Sequence, residues 1–170
     1  MSHPLQIRTI QPGDNAALAT IIRDTLAEFR ANKPGTVYFD PTTDRLFDIF
    51  ASAAGSVYYV AILGDDIVGG AGIYPTDGLS DGTCELVKLY LSSAARGKGT
   101  GKLLMEKSLS AAKELGYKRV YLETMPELNI AIPMYEKFGF TYLPGALGNS
   151  GHTGCDVWMI KELTQDTKPA

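Results

Sequence analysis

Hydrophobic and polar positions alternate or recur at helical spacing in most of the chain. Residues 5–10 alternate, which predicts a first strand. A turn follows in which Asp14 is expected to cap a helix. A loop with two prolines, residues 31–43, separates this helix from a second short one over residues 44–53. The first helix carries apolar residues at three- and four-residue steps: Leu18, Ile21, Ile22, Leu26 and Phe29.

The middle of the chain contains three apolar stretches that predict strands. Residues 56–63 and 67–74 flank the sequence Gly-Asp-Asp, a hairpin signature. Residues 84–91, with the sequence CELVKLYL, are mostly apolar without strict alternation. A strand that is buried on both faces has this pattern, so we expect residues 84–91 to lie centrally in the sheet.

The clearest helical pattern covers residues 99–117, and Gly116 fits the C′ position that ends a helix. A further strand is predicted over residues 119–124. Because a helix connects it to residues 84–91, the two strands should be parallel. One face of this helix is expected to be buried through Leu104, Met105, Ser108, Ala111, Ala112 and Leu115.

The C-terminal part predicts a short helix over residues 131–138, ended by Gly139. Residues 140–143 and 155–160 then read as strands, antiparallel to each other, around a glycine-rich loop. The whole pattern predicts an α/β domain with one mixed sheet.

Composition and charge narrow the functional classes. The chain has 170 residues, 45% hydrophobic and 21% charged, with a formal net charge of −3, which fits one domain. Interspersed charges argue against nucleic acid and anionic membranes as partners. The first ten residues show neither a charged leader nor an apolar signal core. Cys84 and Cys155 form no disulfide framework or metal-ligand spacing, so we expect a reduced, cytoplasmic protein without a metal; either could still be a reactive thiol.

The stretch ARGKGTGKLL, residues 94–103, places three glycines and several cations between a strand and a helix N-terminus. Free backbone N–H groups and the helix dipole favour an anion at such a position. The spacing matches neither a P-loop nor a dinucleotide fingerprint. From the residues alone, a phosphate site and a plain capped turn remain equal alternatives.

Two motifs nevertheless resemble one family. The run from Arg96 to Gly101 matches the R/Q-x-x-G-x-G/A signature of the GNAT superfamily of acetyl-CoA-dependent N-acetyltransferases. Residues 131–140, AIPMYEKFGF, resemble the family segment A-I-x-L-Y-x-K-x-G-F, and residues 7–22 resemble its first strand and helix. The resemblance implies a single GNAT-like domain over residues 1–170, with a mixed, mostly antiparallel sheet, a parallel strand–helix–strand cofactor unit and flanking helices.

The resemblance divides this domain into an acceptor-side half (5–91), a pyrophosphate loop with its helix and parallel strand (92–124) and a C-terminal part (125–163). Backbone amides of the loop would wrap the pyrophosphate of coenzyme A. The strand over 89–91 would diverge from 119–124 and pair with the pantetheine arm. The implied cofactor residues are Leu89, Tyr90, Leu91, Arg96, Gly97, Lys98, Gly99, Thr100, Gly101 and Lys102. Asn129 is a further candidate for cofactor binding, although it stands one residue later than the family's asparagine, whose place holds Leu128.

Amine acetylation needs a base for the ammonium, stabilisation of charge on the thioester oxygen and a proton for the thiolate. Glu85 matches a family position for a catalytic glutamate, and burial in an apolar strand should raise its pKa. By alternation Glu85 should share a face with Val87, Leu89 and Leu91. It could instead pair with Lys88 or Arg119, or lie at a solvated strand end, and a water chain could replace it as base.

Tyr135 matches the family tyrosine that lies close to the coenzyme A sulfur and can protonate the thiolate. A packing role in a short helix is the alternative for this residue.

The acceptor side is less specific in the sequence. Tyr38, Phe39 and Asp40 lie in the early loop where the family builds its acceptor pocket, and could bind an ammonium. His152 and Asp156 belong to a late loop that should return to the site, although a solvated histidine is the simpler interpretation. The expected acceptor is a small-molecule or peptide amine, and a homodimer is left open. A non-catalytic acyl-CoA sensor and an enzyme for longer acyl chains are the alternatives.

Overall fold

The apolar stretches of the sequence form the strands of one sheet. The computed structural model describes residues 4–164; the first three residues, considered above for a leader, and residues 165–170 lie outside the described part. The strands are β1 (Leu5–Thr9), β2 (Val57–Leu63), β3 (Asp66–Tyr74), β4 (Thr83–Leu91), β5 (Arg119–Thr124), β6 (Thr141–Leu143) and β7 (Val157–Glu162). The helices are α1 (Asn15–Glu28), α2 (Leu46–Ser52), α3 (Thr100–Glu114) and α4 (Ala131–Lys137).

The sheet has the order β1-β2-β3-β4-β5-β7-β6. The pair β4–β5 is parallel and the other five pairs are antiparallel. The predicted fold class, a mixed and mostly antiparallel sheet flanked by helices, is therefore confirmed. Within residues 4–164 no helix has the length and apolar character needed to cross a membrane.

The two faces of the sheet carry different helices. On one face, α1 and α2 pack against Tyr58 and Val60 of β2 through the apolar stripe that the sequence predicts. On the other face, α3 and α4 pack against residues of β4, β5 and β7. Leu115 was expected in the buried stripe of α3, but it is 49% exposed because the helix ends at Glu114. The predicted C′ glycine, Gly116, has the expected positive φ of 89°.

The start of α1 differs from the prediction. Asp14 precedes the helix, but its carboxylate makes no capping hydrogen bond to the helix. Its two oxygens instead accept hydrogen bonds from Arg8, at 2.7 and 3.0 Å, and from the Gln11 backbone N–H. Because an ion pair with Arg8 is available, the carboxylate holds the end of β1 rather than the helix terminus.

A β-bulge in β4 changes which residues share a face. The register with β3 shifts between Gly70 and Gly72, and Lys88 adopts a φ of 53°. Val87 packs with the α1–α2 core, whereas Leu89 and Leu91 pack towards α3. The expectation that Glu85 shares a face with Leu89 and Leu91 is therefore wrong, since the extra residue at the bulge reverses the alternation.

The glycines of β3 explain how this bulge is held. The buried Tyr58 ring lies across Gly70, where a Cβ would meet its Cε1 at 2.5 Å. The Tyr58 hydroxyl donates a hydrogen bond of 2.8 Å to the carbonyl of Lys88. Gly70 and Gly72 of β3 thus make room for the Tyr58 side chain, which fixes the bulge through its hydroxyl.

Candidate active site

The parallel strands β4 and β5 separate to open a cleft. Their pairing ends at Glu85 and Tyr121, so the later residues of β4 have no ladder partner on the β5 side. This is the divergence that the family resemblance implies. A cleft of about 150 Å³ lies between the two strands, α1 and α4. All three residues of the segment 89–91 line it. Its edge offers backbone groups that an extended ligand can pair with.

The loop before α3 presents consecutive backbone donors. Gly97 and Gly99 have φ values of 74° and 77°, a region that L side chains rarely adopt. Among the described residues, no backbone or side-chain acceptor receives a hydrogen bond from the N–H groups of residues 97–102. Six neighbouring donors at a helix N-terminus, with open space beside both glycines, fit a pyrophosphate group.

The cations of this loop have different surroundings. Arg96 donates two hydrogen bonds of 2.7 Å to Glu28, and a third of 3.1 Å to the Leu91 carbonyl. Its guanidinium also lies 5.0 Å from the centre of the Phe29 ring. Arg96 therefore fixes the loop to α1 and β4, whereas Lys98 and Lys102 are exposed.

The opposite wall of the cleft comes from β5 and α4. Tyr135 is buried in this wall, and its hydroxyl has no hydrogen-bond partner in the part of the chain described. Burial raises the pKa of Tyr135, which keeps the hydroxyl protonated at neutral pH. Thr124, at the end of β5, has a buried hydroxyl without a partner in residues 4–164. Asn129 is exposed and does not line the cleft, because α4 starts only at Ala131.

A second cavity, of about 320 Å³, lies on the α2 side of β4 and is called the acceptor cavity below. The early loop contributes Asp40 and the late loop His152, and their side chains meet at 2.9 Å. Burial alone would raise the pKa of Asp40, but hydrogen bonds from Thr42 and His152 lower it to about 2. The Asp40–His152 contact thereby joins two loops that are 112 residues apart in sequence.

Glu85 lies at the floor of the acceptor cavity and is only 4% exposed. One carboxylate oxygen accepts a hydrogen bond of 2.8 Å from Thr76. Burial and the nearby Glu123 raise the pKa of Glu85 to about 7. No ion pair links it to Lys88, and Arg119 pairs with Glu162 instead. The structure thus removes the solvated strand end and the Arg119 pair from the alternatives for Glu85.

The remaining predicted residues fall outside the acceptor cavity. Tyr38 and Phe39 do not line it, and Phe39 is 59% exposed. Asp156 is exposed beside the end of β5, where its backbone N–H donates to Thr124. Cys84 and Cys155 are free thiols, and burial raises the pKa of each to about 12, which disfavours thiolate chemistry. Residues 4–164 contain no group of three or more His, Cys, Asp or Glu side chains that could hold a metal.

Several lining residues were missed from the sequence. Thr76 contacts Glu85, and Ser150 contacts Glu123; both are polar residues in loops without a motif. From the sequence, Lys88 was considered only as a possible ion-pair partner of Glu85. A lysine in the middle of an apolar strand is unusual, and this could have marked it as a site residue. A third, smaller space of about 40 Å³ shares lining residues with both the cleft and the acceptor cavity, so the three spaces are neighbours along β4.

Comparison with known proteins identifies the family of this chain. Residues 20–140 match the Acetyltransferase (GNAT) family. The uncharacterized N-acetyltransferase YjgM of Escherichia coli (strain K12) is 42% identical over 159 residues, covering 92% of this chain and 94% of that protein. A GNAT-family acetyltransferase from Staphylococcus aureus Mu50 has a TM-score of 0.81 at 21% identity, covering 95% of this chain and 100% of that one.

A further solved structure, the PaiA N-acetyltransferase of Thermoplasma acidophilum in complex with coenzyme A, has a TM-score of 0.73 at 18% identity and covers 94% of this chain and 99% of that one. The chain therefore belongs to the acetyltransferase (GNAT) family. It is an acetyl-CoA-dependent N-acetyltransferase, which confirms the class that the two sequence motifs implied.

Proposed function

We propose that this enzyme transfers an acetyl group from acetyl-CoA directly to a primary amine, with both substrates bound at once. The observation that carries the proposal is that the cleft and the acceptor cavity are neighbours beside β4 and share lining residues, with Glu85 on the cavity side and Tyr135 in the cleft wall. A thioester and an amine that enter from opposite sides can meet there without a covalent intermediate on the enzyme.

On the donor side, the residues fit acetyl-CoA. The six free N–H groups of residues 97–102 match a pyrophosphate, and the edge of β4 that β5 leaves unpaired, at residues 89–90, matches the amides of a pantetheine arm. The partnerless hydroxyl of Thr124 adds a buried polar group at the facing wall. Because these contacts are mostly backbone, binding should depend on loop conformation more than on the loop cations.

On the acceptor side, Glu85 is assigned as the base. A carboxylate with a pKa of about 7 can take a proton from an ammonium near neutral pH, and one of its oxygens is not used by Thr76. Tyr135 is assigned as the acid for the departing thiolate, since its hydroxyl is protonated and has no competing partner among the described residues. Cys84 and Cys155 are not assigned a role.

The test is release of free coenzyme A from acetyl-CoA across a panel of amines, amino acids and peptides. Amine-dependent release, with an intersecting pattern of initial rates when both substrates are varied, supports direct transfer. A parallel pattern would indicate an acetylated enzyme and contradict it. Tight acetyl-CoA binding without release for any amine would favour a sensor.

A further inference from the structure

The charged groups that line the acceptor cavity, and Glu123 of the adjoining small space, differ in how many hydrogen bonds they receive from the protein itself. Asp40 accepts hydrogen bonds from the Thr42 backbone, the Thr42 hydroxyl and His152. Glu123 accepts from Tyr121 and Ser150, one at each oxygen. These two carboxylates are therefore engaged, and Asp77 stands at the exposed rim.

Two charged groups keep unused hydrogen-bonding capacity. Glu85 has one oxygen without a partner, and the Lys88 ammonium makes no hydrogen bond or ion pair to residues 4–164. Lys88 is partly buried, and burial lowers its pKa while the charges of Asp40 and Glu85 raise it part of the way back. A desolvated ammonium without a partner is unfavourable, so this position favours an anionic ligand.

Lys88 also has an unusual position in the site and an unusual backbone conformation. It alone among the described residues lines the cleft, the small space and the acceptor cavity. Its positive φ puts it at the bulge that the Tyr58 hydroxyl fixes through the Lys88 carbonyl. A non-glycine residue in this conformation costs free energy, and such strain persists where the surroundings impose it, often at functional positions.

We propose that Lys88 binds the carboxylate of an acceptor that carries this group next to its amine, as an α-amino acid does, while the amine lies against Glu85. The proposal rests on the function proposed above and names its acceptor class. Glu85 and Lys88 lie three residues apart on one strand, so one base and one cation face the same small space. A zwitterion places an opposite charge against each of them, which leaves neither buried charge alone.

The remaining wall of the cavity accommodates a side chain. Apolar surface in the acceptor cavity comes from Ile49, Phe50, Tyr74 and Val87. Apolar α-amino acids therefore belong in the test, whereas a peptide would offer an amide at the place where Lys88 needs a carboxylate.

The experiment compares L-amino acids with their own carboxamides as acceptors, by release of coenzyme A at several pH values. The carboxamide keeps the shape and removes the charge; because it also lowers the pKa of the amine, rates are compared per unit of neutral amine. Wild-type kcat/KM should favour the acids by about tenfold or more, the effect of a hydrogen bond to a charged group. Lys88→Met should bring the ratio close to one, and Lys88→Arg should keep part of it.

Controls separate this role from others. Lys107→Met removes an exposed cation on α3 and should leave the ratio unchanged. Acetyl-CoA affinity of each variant reports folding. If Lys88→Met folds poorly, inhibition of the wild type by N-acetyl amino acids against their amides measures the same preference. An equal loss for acids and amides in Lys88→Met, or a wild type that prefers amides, would overturn the proposal. If no amine at all supports release of coenzyme A, the proposed function fails instead.

Discussion

The cleft and the acceptor cavity lie side by side on β4, but they are made from different parts of the chain. On the donor side, one continuous loop next to the cleft, residues 97–102, offers backbone donors, and β4 offers an edge that β5 does not pair. The acceptor cavity uses side chains from segments far apart in sequence, such as Asp40, Glu85 and His152. This difference is what we expect if main chain holds a donor that many enzymes share, while side chains select the acceptor.

The largest expected effect comes from the acceptor cavity. Glu85→Gln removes the proposed base and should lower kcat/KM by about a hundredfold to ten-thousandfold. Since the pKa of Glu85 is about 7, the wild-type rate should rise with pH up to that value. The variant reacts only with the fraction of amine that is already neutral. The ratio of wild-type to variant kcat/KM should therefore be largest at and below pH 7 and decrease as the pH approaches the amine pKa. A profile of unchanged shape and height would make Glu85 structural.

The next effect lies in the wall of the cleft. Tyr135→Phe should lower kcat by about a hundredfold while the dissociation constant of acetyl-CoA changes little, because only the proton donor is lost. Calorimetry and steady-state rates measure the two quantities. Tyr142→Phe, at an exposed tyrosine bonded to Glu136, is the matched control. An unchanged turnover in Tyr135→Phe would return Tyr135 to a packing role.

A backbone change tests the cleft directly. Gly99→Ala forces a side chain into a φ of 77° and should weaken acetyl-CoA binding by about tenfold, since the left-handed conformation costs about 1–2 kcal/mol. Gly116→Ala introduces the same strain at a φ of 89° beyond the end of α3, again in open space. It should lower the free energy of unfolding and leave the dissociation constant unchanged. Similar affinity losses in both would show that general destabilisation is the cause.

The smallest effect should come from the loop cations. Lys98→Ala removes an exposed charge beside the backbone donors and should change acetyl-CoA affinity by about threefold or less, mainly at low salt. A titration at low and high ionic strength measures it. A loss larger than that of Gly99→Ala would mean that side chains, rather than main chain, hold the donor.

Stability should also depend on pH through the acceptor cavity. The folded-state pKa of Asp40 is about 2, below its ordinary value of 3.8. The contribution of Asp40 to the free energy of unfolding is present above pH 4 and is lost as pH falls towards 2. Asp40→Asn should therefore lower the melting temperature near neutral pH and flatten its decline in acid. Thermal unfolding across this range measures the difference, and parallel curves for the two proteins would contradict it.

Much of the fold could be predicted from periodicity. The parallel pair β4–β5 followed from one helix between two apolar strands, and the divergence of these strands followed from the family resemblance. The late loop was expected to return to the site, and His152 does contact Asp40. Asp14 was placed correctly before α1, but its ion pair with Arg8 depends on β1 lying beside it.

The bulge at Lys88 could not be predicted, because alternation along β4 gives no sign of an extra residue. The shift arises where β3 and β4 pair around Tyr58, whose hydroxyl reaches the Lys88 carbonyl. The acceptor residues were uncertain for a related reason. Tyr38, Phe39 and Asp40 are consecutive, but only Asp40 lines the cavity, and the direction of a side chain in a short turn depends on what packs beside it.

By itself, the sequence determined the class of enzyme and the donor side, since the glycine-rich loop and its helix are local features whose backbone conformation follows from a few neighbouring residues. The tertiary structure decided the acceptor side. It brought Glu85 into a buried position that raises its pKa, joined Asp40 to His152, and put Lys88 between the two cavities. Burial, strand register and contacts between distant loops are properties of the packed chain, and no short segment encodes them alone.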